Sequence, residues 1–447
     1  MMKQIRSIFL IGLICGGCFN NRISDHPATR VDLGKEQLST AKLARIDSLV
    51  TGYVRENKFP GGIFIVVRRG IIVYYKNIGY RSVEPIMPYQ KNDIFRIASM
   101  TKAVTAVAAM QLYEQGKLRL DDPVSKYIPA FEKAEVFDGF NPADSTCRTV
   151  PANKKISIRH LLTHTSGLAY AKPRYGDLYP VYTKMGFTSS SGRSHPTLDT
   201  EQVVNKIATL PLAFHPGERY LYGFSIDVLG RVIEVVSGKT LDEYFRENIF
   251  EPLRMEDTHF YLPVEKYHRL VQPYDYNGGK LITYEDKDVS GISINYPKFQ
   301  NASAFMGGGG LSSTAIDYTK FLQSLLNTIK GDESQIYPTG KINNRHRLLG
   351  RKTMELMMSD QFEKLNEEGK GRNNNIGTSH ALGFALTTQT GTEAKSPGTI
   401  EWGGAFSTKF FIDPREELIF VGMSQAIPRY HQEVYGKITA VIYGAID

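Results

Sequence analysis

Cysteine is scarce in this chain of 447 residues: there are three, and two of them, Cys15 and Cys18, fall within the first twenty positions. Cys147 is left with no internal partner other than Cys18, so no disulfide framework holds the protein together. Long apolar runs are also missing. After the N-terminal segment no stretch of 18 apolar residues occurs, which excludes further membrane-spanning helices. No basic stripe interleaved with aromatics is present either. The net charge of +8 is dispersed, with short clusters at Arg68-Arg69, Lys154-Lys155 and Lys370 to Arg372. That pattern is solvated surface and gives no footprint for nucleic acid. No internal repeat is evident. What remains, 41% apolar and 22% charged, is the composition of a globular protein with a large core, either one catalytic domain with an insertion or two to three domains.

The first residues, "MMKQIRSIFLIGLICGGCFNN", carry two positive charges at Lys3 and Arg6, an apolar stretch from Ile8 to Cys15 and small residues before Cys18. This is the layout of a secretory signal, too short to span a bilayer as a mature helix. Cys18 after Gly16-Gly17 resembles the lipid-modified cysteine of a bacterial lipoprotein, although Cys15 stands where such signals usually carry Leu; the alternative is simple cleavage and release. The expected organisation is a signal over 1–17, a polar tether over 18–37 and one domain over 38–447. A lipidated Cys18 would place that domain in the bacterial cell envelope, anchored by lipid alone.

Hydrophobic periodicity gives a coarse fold. An amphipathic helix is expected over about 38–49. "GGIFIVVRRGIIVYYKNIGY" sets two β-branched and aromatic runs around Arg68-Arg69-Gly70, and "TKFFIDPREELIFVGMSQ" sets two more around Asp413-Pro414-Arg415-Glu416. Both are hairpins. Between them helical patterns dominate, over 99–115, 156–163, 201–210, 225–237, 241–249 and 313–329, and the closing "HQEVYGKITAVIYGAI" is again helical. The expected class is α/β in the α+β sense: an antiparallel sheet completed by both chain ends, with a mainly helical lobe inserted and a cleft between them. Ser189 to Ser194 and their flanks form the clearest loop.

Ser-x-x-Lys occurs twice, at Ser39/Lys42 and Ser99/Lys102. Ser39 opens an exposed amphipathic helix, where a hydroxyl caps backbone N–H groups. Ser99 precedes "AVTAVAAM", a run apolar on nearly every side and therefore buried. Lys102 would lie on the same face, about 5–6 Å away between Cβ atoms. A free lysine, with a pKa near 10.4, is neutral in well under ~1% of molecules at pH 7. Burial and the positive end of a helix dipole both disfavour the ammonium, so Lys102 in that position becomes a usable base for a Ser99 nucleophile.

Four further segments stand in order: "ISIRHLLTHTSGL", "HPGERYLYGFSIDVLGRVIEVVSG", "GGGGLSSTAIDYTKFLQ" and "EWGGAFSTKFFIDP". With the Ser99 motif, the chain from about residue 38 onward resembles the serine β-lactamase-related hydrolases, which include class C β-lactamases, D-peptidases and family VIII carboxylesterases. The resemblance implies a β-lactamase/transpeptidase-like fold and no cofactor. It implies Ser99 as the acylated nucleophile, Lys102 as its activator and Tyr222 as the tyrosine sharing proton transfer. It also implies backbone N–H groups of Ser99 and Ala405 as oxyanion donors, with Trp402, Gly403 and Gly404 lining the substrate on a strand. Two departures matter. Tyr222-Gly223-Phe224 lacks the amide of a Tyr-x-Asn motif, and Trp402-Gly403-Gly404 replaces Lys or His followed by Thr-Gly. The lost cation would pair with a substrate carboxylate, a contact contributing roughly 1.5–3 kcal/mol. Both changes point from β-lactams towards small or medium neutral acyl esters, with a D-peptidase, an amidase or a weak β-lactamase as the competing readings and a slow-deacylating covalent binder or a non-catalytic envelope protein as the reading of another class.

Other signals are weaker. His160 and His164 have the spacing of two zinc ligands on one helical face, but position 161 is Leu where a metalloprotease carries Glu, so packing and a turn at Ser166-Gly167 are expected and no metal. The Gly307 to Gly310 run lacks the Lys-Ser/Thr ending of a phosphate loop and suits close backbone approach instead.

Overall fold

The computed structural model of the protein describes residues 38–446 except 145, 188–196, 285–294, 332–333, 336–341, 344–346, 364, 366–376, 390, 392 and 428. The expected signal and tether with Cys18, the loop around 189–194 and the basic cluster at 370–372 lie outside the described residues.

Two hairpins from opposite ends of the chain meet side by side. The first joins β1 (Gly61–Arg68) to β2 (Ile71–Val83). Its loop residues Arg69 and Gly70 both have positive φ, 48° and 77°, the hand that matches the twist of the flanking strands. β2 turns into a short edge strand, β3 (Ile86–Pro88). Towards the C-terminus β4 (Thr378–His380), β5 (Ala385–Thr387), β6 (Ile400–Gly404), β7 (Thr408–Asp413) and β8 (Leu418–Met423) pair successively, all antiparallel. The Asp413 carboxylate tightens the β7–β8 turn, accepting from the N–H groups of Arg415 and Glu416 at 3.0 and 3.2 Å. β8 then pairs with β1, from Ile63 opposite Met423 to Arg68 opposite Leu418, and closes an eight-stranded sheet in the order β4-β5-β6-β7-β8-β1-β2-β3.

Because the central strands are buried on both faces, β1 is apolar at nearly every position rather than alternating. Phe64 and Val66 face α1 (Arg45–Arg55) and the C-terminal helix, in a cluster with Ile46, Val50, Phe411, Phe420 and Ile438. Ile63, Ile65 and Val67 face the larger core, which holds α2 (Thr101–Glu114), α3 (Ser225–Ser237) and α4 (Ala315–Lys330). The C-terminal helix is α5 (His431–Tyr443). Full burial of each of these side chains contributes about 1.5–3 kcal/mol.

Several elements depart from the periodicity. The 38–49 helix is two pieces, Thr40–Leu43 and α1. The 241–249 helix is an α-turn, Leu241–Phe245, that widens into a π-helical turn, Arg246–Phe250. Pro252 follows; it has no N–H to donate and its ring crowds the carbonyl four residues back. That carbonyl, of Asn248, accepts from the Gln111 side chain instead, at 3.2 Å. The helix expected from 313 begins at Ala315, since Ser312 and Ser313 pair with Arg96 and Phe95 and Thr314 is the cap, accepting from Asp317 N–H at 3.2 Å. Two small hairpins, Glu135–Asn141 with Thr146–Pro151 and Tyr274–Asn277 with Lys280–Thr283, interrupt the helical region.

Candidate active site

Ser99 sits on a strained turn rather than in the helix proper. Ala98 has φ +45°, a left-handed conformation that costs a residue with a Cβ roughly 1–2 kcal/mol. A one-turn 3-10 segment, Ala98–Met100, then leads into α2. The strain is held from several sides. Ile97 N–H donates to Leu311 O at 3.1 Å, Tyr318 Oη donates to Met100 O at 2.8 Å, and Leu311 N–H donates to Thr101 Oγ1 at 3.1 Å. From Thr101 to Leu112 every residue of α2 is buried, so the core fixes the helix whose start carries Ser99.

Lys102 is 1% exposed, and an ammonium in that position must be hydrogen-bonded. Its Nζ donates to Gly308 O at 2.5 Å, to Ser99 Oγ at 3.2 Å and to Tyr170 Oη at 3.3 Å, and lies 4.7 Å from the centre of the Tyr222 ring. The glycine run makes this approach feasible. A Cβ on Gly308 would stand 2.4 Å from the Asp227 carboxylate, which accepts Gly308 N–H at 2.8 Å. Asp227 and Thr105, whose Oγ1 donates to Gly307 O at 2.7 Å, thus orient the backbone that receives the lysine.

Tyr222 comes from the turn before α3. Its Oη donates to Ser99 Oγ at 2.6 Å. Three contacts fix its backbone: Leu221 N–H donates to His164 O at 2.9 Å, Tyr175 Oη donates to Tyr222 O at 2.7 Å, and Gly223 packs so closely that a Cβ would lie 1.9 Å from Leu168 O. Trp402 on β6 completes the wall, its ring 5.8 Å from that of Tyr222. Gly404 ends the strand where a Cβ would meet Thr408 Oγ1 at 2.2 Å and Ile97 O at 2.3 Å, so the strand can press against the Ser99 turn only as glycine. Gly403 is less constrained, with Thr408 O at 3.0 Å. Ala405 opens the turn between β6 and β7, which Ser407 N–H closes onto Gly404 O at 3.1 Å.

Behind Tyr222 stand two histidines. The His164 ring is 4.8 Å from that of Tyr222 and 6.4 Å from Trp402, nearly parallel to the latter at 10°; His380 is 6.0 Å further back. Burial, then His380 and the Lys102 charge, hold His164 well below the usual imidazole range, and burial pushes His380 down to about 3. Both are neutral at ordinary pH. The zinc-like pair is broken up: His160 serves the capping box of Ile158–Leu162 with Ser157, while His164 lies beyond that helix with φ +55°. Among the described residues no three metal-ligating side chains cluster.

The sequence motifs therefore converge. Ser99, Lys102, Tyr222 and Trp402 lie in one chain of contacts, and Gly404 meets the Ser99 turn at Ile97 O. Sequence reasoning missed Tyr170, one of 25 tyrosines with no pattern of its own, and Asp227, which looks like any acidic residue in a first helical turn.

The profile of the Beta-lactamase family matches residues 46–439. The chain belongs to that family. It is a β-lactamase-family serine hydrolase with the corresponding α/β fold, and its relatives include esterases. It is 30% identical over 392 residues to a lovastatin esterase of Penicillium rubens, covering 86% of this chain and 92% of that one. Esterase EstB of Burkholderia gladioli is 29% identical over 312 residues, 67% and 74% of the two chains. Among solved structures, EstCE1, described as a hydrolase with promiscuous acyltransferase activity, superposes with a TM-score of 0.73 at 26% identity, covering 91% of this chain and 99% of that one.

Proposed function

We propose that the protein is a carboxylesterase acting on small or medium neutral acyl esters through an acyl-enzyme on Ser99. The observation that carries this reading is that Ser99 Oγ receives both Tyr222 Oη at 2.6 Å and Lys102 Nζ at 3.2 Å. For attack the proton flow reverses. Tyr222, as a phenolate stabilised by the adjacent ammonium, takes the serine proton while Oγ bonds to the ester carbon. The N–H groups of Ser99 and Ala405 hold the oxyanion. The carbonyl–alkoxy bond then breaks, the alcohol leaves with the proton held by Tyr222 and Lys102, and water releases the acid by the same route.

The preference for neutral acyl groups rests on the β6 edge. Trp402, Gly403 and Gly404 would line the acyl group and supply no cation, and the neighbouring Lys395 and Lys409 are both engaged by Glu401, at 2.6 and 2.9 Å. Turnover of p-nitrophenyl acetate to octanoate, set against nitrocefin and a D-Ala-D-Ala peptide, tests it. Ester turnover at least tenfold above the other two is expected; efficient cephalosporin or peptide cleavage without ester turnover would replace this reading with β-lactamase or peptidase action. Persistent acylation without turnover, by intact mass, would indicate a covalent binder.

We further propose that the protein is exported and anchored at Cys18. Incorporation of a clickable fatty acid in a bacterial host, lost in Cys18→Ala, is the expected result; equal labelling of both would refute it.

A further inference from the structure

The motif "HLLTH" left one residue without a role. His164 is 1% exposed and adopts φ +55°, a conformation uncommon for any residue but glycine and, to a lesser degree, asparagine, aspartate and histidine. Its carbonyl accepts Leu221 N–H at 2.9 Å, the hydrogen bond next to Tyr222. Its ring meets the Tyr222 ring at 4.8 Å and lies parallel to Trp402. Its Nδ1 is buried with no hydrogen-bond partner, so the ring contributes as a flat, uncharged surface and not through that nitrogen.

We propose that His164 is a positioning residue for Tyr222, its carbonyl setting the chain that carries the phenol and its neutral ring backing the phenol against Ser99 and Lys102. The left-handed turn is what lets one residue do both, since carbonyl and ring meet consecutive residues, Leu221 and Tyr222. The charged and titratable groups facing the ring are Lys102, Tyr222, Tyr220 and His380. Lys102 opposes a positive charge at His164. The inference rests on the proposed Ser99–Lys102–Tyr222 chemistry.

The test uses three variants of the full chain with a p-nitrophenyl ester, rates being normalised to sites titrated by a fluorophosphonate. His164→Asn tolerates the left-handed backbone and removes the ring; His164→Phe keeps a flat ring and removes the nitrogens. His164→Asn is expected to lower kcat about 10- to 100-fold with KM changed less than about threefold, as for a catalytic group displaced by a fraction of an ångström to an ångström. His164→Phe is expected to recover kcat to within a few-fold of wild type. If His164→Asn does not fold, His164→Phe decides alone: near-wild-type kcat per titrated site upholds the proposal, and a hundredfold loss overturns it. His164→Asn with unchanged kcat would also overturn it. Ser99→Ala, run alongside, separates the two levels, because turnover by that variant would remove the underlying chemistry rather than the positioning role.

Discussion

The Tyr222 hydroxyl donates to Ser99 Oγ at 2.6 Å, across 123 residues of chain. Lys102 reaches the same oxygen from one turn further along the helix that begins beside Ser99. Tyr222→Phe keeps the ring that packs on His164 and Trp402 and deletes only this hydrogen bond. Its expected effect is a fall in kcat of about 10²–10⁴-fold, the range for a positioned proton-transfer group, with the melting temperature nearly unchanged. Steady-state kinetics and a thermal melt on the same preparation check both parts.

Gly404 is the contact point between the sheet and the Ser99 turn. In Gly404→Ala the new methyl group would lie within 2.3 Å of Ile97 O and against Thr408 Oγ1, so strand or turn must move, at a cost of about 1–3 kcal/mol. Gly403→Ala, whose nearest atom is 3.0 Å away, is expected to be milder. Denaturant melts of the two variants, with ester turnover, should rank them in that order.

Glu401 governs acid stability at the opposite side of β6. Burial alone would raise its carboxyl, but Lys409 and Lys395 outweigh burial and hold it at about 2. A folded pKa below the unfolded value means stability present above about pH 4.5 and lost as pH falls towards 2. Glu401→Gln is therefore expected to cost roughly 2–3 kcal/mol at pH 7. That difference should shrink to near zero by about pH 2, which unfolding curves across the pH range would show.

The second Ser-x-x-Lys match serves as an internal control. Ser39 Oγ accepts Lys42 N–H at 3.3 Å at the start of Thr40–Leu43, and Ser39 N–H donates to Ala445 O at 2.8 Å. Ser39→Ala is expected to lose about 0.5–1 kcal/mol of stability as a lost helix cap, with ester turnover unchanged in the same assay.

What could be read in advance was what strong local patterns encode. The β1–β2 and β7–β8 hairpins have apolar runs broken by turn residues, and 225–237 has one continuous amphipathic period, which the observed helix matches end to end. Strands β4 and β5 have three residues each, too few for a period, and exist because their neighbours pair with them. The site followed the same division. Ser99, Lys102 and Tyr222 sit in motifs with fixed spacing. Tyr170, Asp227 and His380 reach the cluster through the tertiary fold, and nothing in their local sequence marks them. His164 was visible as half of a zinc-like spacing, but that spacing presumes a continuing helix, and the chain leaves the helix at Thr163.

The most direct test of the central claim is to quench the reaction of the purified protein with a p-nitrophenyl ester and measure intact mass, followed by peptide mapping. The account predicts one acyl group on the peptide containing Ser99, formed with a burst of nitrophenol, and neither adduct nor turnover in Ser99→Ala. Turnover by Ser99→Ala equal to wild type, or an acyl group mapped to another residue, would contradict it.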